Sequence, residues 1–171
     1  MSTLRIPVSE KDHRTGDAHA ELVLVEYGDY QCTHCGIAHP FIKKLLKEFK
    51  GRFNFVFRNF PLQESHPMAM MAAMAAEAAG RQNKFWEMHD IIFEHQRTLN
   101  PDSILGFAAK LKLNEKQFAH DIRDKELYQR VEDDFESGLR SGVNGTPTFF
   151  LNGKKVDSYN ETYESLAELL S

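Results

Sequence analysis

The stretch Leu22-Val23-Leu24-Val25-Glu26-Tyr27-Gly28-Asp29-Tyr30-Gln31-Cys32-Thr33-His34-Cys35 changes its period midway. Leu22 to Val25 is apolar at consecutive positions, the pattern of a strand buried on both faces, and it ends at Glu26-Tyr27-Gly28. Beyond Gln31 the period is helical. Ile37, Phe41 and Leu45, with Ile42, Leu46 and Phe49, mark one side of a helix expected from about Cys32 to Lys50. Pro40 should kink it, because a proline inside a helix removes a hydrogen bond and crowds the preceding turn. Phe53 to Arg58 then alternates as a strand does. The unit is β-α-β, which normally makes a parallel pair with a right-handed crossover.

Residues 64–141 carry helix signals only. Met68 to Ala79 is dense in Ala and Met and stops at Gly80; Phe85, Met88, Ile92 and Leu99 recur at helical spacing. Asn100-Pro101 reads as a cap followed by a first-turn proline, and Asn114 with Gln117 resembles a capping box. Leu127, Val131, Phe135 and Leu139 line another helix face. The last segment returns to β: Thr148 to Leu151, an Asn152-Gly153 turn, and Lys154 to Val156 form a hairpin signal, followed by a closing helix through Tyr163, Leu166 and Leu170. The expected layout is an α/β fold, βαβ then ββα, interrupted by an all-helical insertion. Residues 1–20 form a polar, irregular lead-in, 21–63 the first half, 64–141 the insertion and 142–171 the second half.

At 171 residues, 42% hydrophobic and 27% charged, the chain has an ordinary globular composition and needs no staple for stability. A net charge of −4 supplies no global positive field for nucleic acid or anionic membrane. Lys43, Lys44, Lys47 and Lys50 sit at helical spacing and read as a solvated face. The start, MSTLRIPVSEKDH, lacks the pattern of a signal peptide, and the longest uncharged run, between Glu64 and Glu77, is too short for a bilayer span of about 20 residues. The expectation is a soluble, cytoplasmic protein without membrane insertion, or a periplasmic one if a leader has been removed. Nothing in the sequence sets the oligomeric state.

The two cysteines, Cys32 and Cys35, close too small a loop to staple a core. They stand directly after a strand and open a helix, whose first turn offers unpaired N–H groups and the positive end of a dipole. A thiol there ionises more readily, and the thiolate is the nucleophile of disulfide exchange. Residues i and i+3 are helix neighbours, so Cys35 can attack a mixed disulfide formed on Cys32. Cys32 is expected to be the exposed attacking sulfur, Cys35 the buried resolving one, and a protonated His34 a second positive charge near Cys32.

Other chemistries fit less well. A structural zinc site needs four ligands, and the chain has no second C-x-x-C and no H-x-x-x-H. His89 and His95 lie about 120° apart on a helix and form no chelating pair; with His66 they read as framework or surface residues. Met68, Met70, Met71 and Met74 read as core filler, not a copper site.

The segments 28–35 (GDYQCTHC), 58–62 (RNFPL), 84–90 (KFWEMHD) and 141–153 (SGVNGTPTFFLNG) resemble, in that order, the bacterial DsbA-like thiol oxidoreductases of the thioredoxin superfamily. The likeness runs from about Pro7 to Leu170. It implies a thioredoxin fold with a helical insertion. It also implies that Pro147 is the cis-proline facing the Cys32 sulfur, with Thr146 offering its main chain to an extended substrate. Glu26 matches the buried acid that takes the proton from the resolving cysteine, and Thr33 departs from the proline often found there, which bears on the reduction potential.

The expected activity is dithiol–disulfide exchange with protein or peptide thiols, with Cys32, Cys35, His34 and Glu26 catalytic and Thr33, Thr146 and Pro147 meeting substrate. No cofactor beyond the redox-active Cys32–Cys35 pair is expected, no metal and no nucleic acid; a recycling redox partner is. His34 argues for an oxidant, the missing signal peptide for a reductase or isomerase. The rival readings are a glutathione-dependent transferase or isomerase on the same scaffold, a zinc module, and a binding module with idle thiols.

Overall fold

Two runs of apolar residues make the centre of the protein. In the computed structural model, which describes residues 2–171, β2 (Leu22–Gly28) and β3 (Phe53–Asn59) lie parallel, Leu22 opposite Phe53 and Gly28 opposite Asn59. The helix between them, α1 (Thr33–Glu48), runs unbroken through Pro40. Next come α2 (Ala69–Gly80), α3 (Phe85–Glu94), a 3-10 turn (Gln96–Thr98), α4 (Pro101–Lys110), α5 (Glu115–Asp121) and α6 (Lys125–Arg140). The chain closes with β4 (Thr148–Leu151), β5 (Lys154–Lys155) and α7 (Tyr163–Leu170). Every element between β3 and β4 is helical.

Successive strand residues point to opposite faces, so the sheet builds two cores. On one face Leu24, Phe53, Phe55 and Phe57 pack with Ile42 and Leu45 of α1, the alanines of α2, Ile92 of α3 and Leu166 of α7. On the other, Val25, Tyr27, Val56 and Phe150 pack with Phe60 and Val143. Each fully buried Leu or Phe stabilises the fold by about 2–3 kcal/mol over its exposed state.

The lead-in differs from expectation. His13–Gly16 is strand β1, antiparallel to β3, which makes the strand order β1-β3-β2-β4-β5. Earlier still, Leu4 donates its N–H to Gly153 and Lys155 donates to Ser2. The polar positions of β3 are the reason. Arg58 is buried on the sheet, where it donates to both carboxylate oxygens of Asp12 (2.8 and 3.0 Å), to the carbonyls of Ile6 and Pro7, and to the Tyr27 hydroxyl. A buried guanidinium needs partners, and residues 6–12 supply them.

Three smaller expectations are corrected. Ile37 and Leu139, assigned to apolar helix faces, are 43% and 54% exposed, and the buried face of α1 is instead Cys35, Ala38, His39, Ile42 and Leu45. The reciprocal capping box lies at Asn100 and Ser103; Asn114 caps α5 by accepting from the Gln117 N–H alone. Cys32 does not begin the helix but precedes it as the N-cap residue.

Candidate active site

At the end of β2 the chain turns on Asp29. Its carboxylate accepts from the N–H groups of Gln31 (2.7 Å) and Leu62 (2.8 Å) and meets His66 Nδ1 at 2.8 Å, while its carbonyl accepts from the Cys32 N–H. This clamp delivers Cys32 to the N-cap of α1 in an extended conformation. No acidic residue occupies the first turn, so the positive end of the helix is left for the sulfur. Cys35 lies one turn on, fully buried, and its sulfur accepts from the Asp29 N–H at 3.4 Å. Both thiols are free.

The two sulfurs ionise very differently. Hydrogen bonding from the Cys35 thiol, then from the Thr146 side chain and the N–H groups of Cys35 and His34, outweighs burial and pulls Cys32 down to about 5. Burial pushes Cys35 well above the ordinary thiol value, and the Cys32 and Glu26 charges add to it. Glu26 is buried in β2, and desolvation, then the Cys32 charge, pushes its carboxyl up to about 8. Gly28 makes room for that carboxyl: a β-carbon there would stand 2.7 Å from Glu26 Oε2.

Contrary to the expected exposed nucleophile, Cys32 is only 5% accessible. The Thr146 carbonyl lies 3.6 Å from its sulfur, and the Thr146–Pro147 peptide bond is cis. Thr33 opens α1 on the surface and lines a groove of 490 Å³ with Gly36, Ile37, Phe93, Gln96 and Thr98.

His34 sits beside the nucleophile with an exposed side chain. Its main-chain N–H faces the Cys32 sulfur, but its ring is turned to Glu161, Nδ1 to Oε1 at 2.5 Å. The structure thus brings together Glu26, Cys32, Cys35, Thr146 and Pro147, with His34 and Thr33 on the rim. It adds four residues that the sequence reading did not assign to the site: Asp29; Gln96, whose amide donates to the carbonyls of Tyr30 and Cys32; Glu161; and Tyr159, whose hydroxyl is buried without a partner among the described residues and whose ring packs edge-on against Phe149. Asp29 sits in a turn-forming position that the sequence shows; the others come from distant segments without a motif.

Two groups elsewhere have the donor types of a metal site, His39 with His89 and Asp90, and His120 with Asp121 and Asp124. Asp90 is taken by Lys43 at 2.6 Å and His89 Nδ1 by the Tyr30 hydroxyl at 2.8 Å. Arg81 takes Asp121 and Asp124, each at 2.9 Å. In both clusters a cation of the protein already supplies the charge.

Comparison with known proteins agrees with this architecture. Residues 8–171 match a protein-family model described as thioredoxin. BdbD from Bacillus subtilis, in its oxidised crystal structure, superposes with a TM-score of 0.85 over 99% of this chain and 96% of its own, at 23% identity. The thiol-disulfide exchange protein α-DsbA2 from Wolbachia pipientis superposes with a TM-score of 0.80 over 94% and 86%, at 21% identity. By sequence, 159 residues are 43% identical to a Salinispora arenicola protein named Na(+)/H(+) antiporter NhaA 1, covering 92% of this chain and 24% of that protein. The chain spans about a quarter of the length of such relatives. Among the described residues no helix is long and apolar enough to cross a membrane. With a family match over nearly its whole length and the fold of the DsbA-type exchange proteins, the chain belongs to the thioredoxin family.

Proposed function

We propose that the chain is a thiol–disulfide oxidoreductase acting on cysteines of proteins or peptides. In the oxidising direction a substrate thiolate attacks the Cys32 sulfur of the Cys32–Cys35 disulfide. The new bond is a mixed disulfide on Cys32, and the bond broken releases Cys35 as a thiolate. That thiolate takes a proton from Glu26, which the raised pKa leaves mostly protonated near neutrality. A second substrate thiolate attacks the substrate sulfur of the mixed disulfide and releases Cys32 as a thiolate. Two electrons pass from substrate to protein, and a recycling partner removes them. The reductive direction runs the same steps backwards, with Glu26 as base for Cys35.

The observation that carries this reading is the split between the two thiols, Cys32 pulled down to about 5 and its helix neighbour pushed up. An acidic Cys32 stabilises the reduced form. Each pKa unit is about 1.4 kcal/mol, or about 30 mV for a two-electron couple, so the oxidising direction is favoured. The Thr146 carbonyl 3.6 Å from the sulfur supports main-chain pairing with an extended substrate strand.

Cys35→Ala tests the assignment. Cys32 should then accumulate mixed disulfides whose partners mass spectrometry can name, and a folded variant that traps nothing overturns it. Equilibration in glutathione buffers tests the direction; a potential near about −270 mV, that of a dedicated reductant, excludes the oxidant. The 43% identity to part of an antiporter favours a second reading, in which the substrate is an ion-transport protein of the membrane. Membrane proteins among the trapped adducts would select it.

A further inference from the structure

The ring of His34 and the carboxylate of Glu161 meet at 2.5 Å although they are 127 positions apart in the chain. Glu161 holds this place in the left-handed region, at φ 65°, which side chains other than Gly and Asn seldom adopt. Its neighbours lock it there. Asn160 donates its N–H to the Ser165 hydroxyl, the Thr162 hydroxyl bonds the Asn160 side chain, and Thr162 caps α7 by accepting from the Ser165 N–H. The loop therefore presents a fixed carboxylate to the residue beside the nucleophile.

We propose that Glu161 is a positioning residue that holds His34 charged beside Cys32, and thereby keeps the Cys32–Cys35 couple oxidising through neutral pH. This rests on the redox reading of the pair. The groups facing the His34 ring are Glu161, from the segment before α7, and Cys32, at the start of α1. The Glu161 bond and charge, then the Cys32 charge, raise His34 above its ordinary value. Behind Glu161, Tyr159 stays neutral because burial, then the Glu26 and Glu161 charges, push its phenol up. A free imidazole would lose its charge below pH 7, and the Cys32 thiolate would lose a stabilising neighbour there. The carboxylate postpones that loss.

The test compares the wild-type chain with E161Q, H34A and the double variant, by NMR titration of the His34 ring and by reduction potential in glutathione buffers at pH 5.5 and 7.5. In E161Q the His34 midpoint should fall by at least half a unit. At pH 7.5 the reduced form should be disfavoured by about two- to fivefold, the range of exposed ion pairs, which is about 10–20 mV more negative. At pH 5.5 His34 is charged in both proteins and has only lost its counter-charge, so the potential should be equal or slightly higher. In the H34A background E161Q should change neither value. An unmoved His34 midpoint, an equal drop at both pH values, or a drop that survives H34A overturns the proposal. Neither readout uses a protein substrate, so a Cys35→Ala variant that traps nothing would sink the proposed substrate class and leave this result standing.

Discussion

The side-chain amide of Gln96 donates to the main-chain carbonyl of Cys32 at 2.7 Å and to that of Tyr30 at 2.9 Å. A side chain from the helical block thus fixes the backbone on which the nucleophile is mounted. Its own carboxamide oxygen lies against Gly36, where a β-carbon would collide with it.

Gln96→Ala takes the donor from the Tyr30 carbonyl and leaves the Cys32 carbonyl with the Gly36 N–H alone, and should destabilise the protein by about 1–3 kcal/mol, read from urea unfolding. Gly36→Ala should also destabilise, by evicting Gln96. In a Gln96→Ala background its sign should reverse, because the obstacle is gone and Ala is favoured over Gly inside a helix by about 0.5–1 kcal/mol. Additive losses in the double variant would refute the packing relation.

Thiolate absorbance should give Cys32 a midpoint near 5 in the reduced protein, with Cys35 silent at neutral pH. The largest contribution is the Cys35 thiol, so Cys35→Ala should move the midpoint upward by a unit or more. A midpoint that stays put in this variant would assign the acidity to the helix terminus alone.

Glu26 binds its proton more tightly folded, near 8, than at the ordinary carboxylate value of 4.5. Its contribution to the reduced protein's stability is complete below pH 4.5 and is lost as pH rises through 8, by at most about 5 kcal/mol. Glu26→Gln should therefore stabilise little at pH 5 and increasingly toward pH 8.5, while slowing release of mixed disulfides by Cys35. Urea midpoints that differ equally at both pH values would contradict a carboxyl buried in its neutral form.

Asp12→Ala strands the Arg58 guanidinium inside the protein and should cost about 3–5 kcal/mol. Hydrogen exchange at the Leu4 and Lys155 amides should accelerate with it, because residues 6–12 would lose their anchor. Unchanged exchange at these amides would show that the first residues are held by β1 alone.

The β2-α1-β3 unit is legible in the sequence because a continuous apolar run, a helical period and an alternating run follow one another over stretches long enough to count, and the Asn152-Gly153 turn is legible for its residue chemistry. β1 is not. His13-Arg14-Thr15-Gly16 has no strand pattern of its own and exists through pairing with β3, His13 opposite Phe57. Ile37 and Leu139 mislead for a related reason: helical spacing shows which residues share a face, not whether a neighbour covers it. At the site, the Cys32–Cys35 spacing and the residues beside it announce themselves locally. Gln96 and Glu161 do not, since their partners lie 64 and 127 positions away and only the folded chain introduces them.

The two borders of the sheet carry a consequence for handling the protein at high concentration. One border is four-residue β1; the other is β5, two residues long and made of Lys154 and Lys155, with Thr3 bridged beside it. Neither offers a long apolar ladder for strand recruitment, and the lysine pair repels its own copy. A chain whose central strands are rich in Phe and Val should stay dispersed in its native state, and fibrils, if they form, should arise from unfolded molecules.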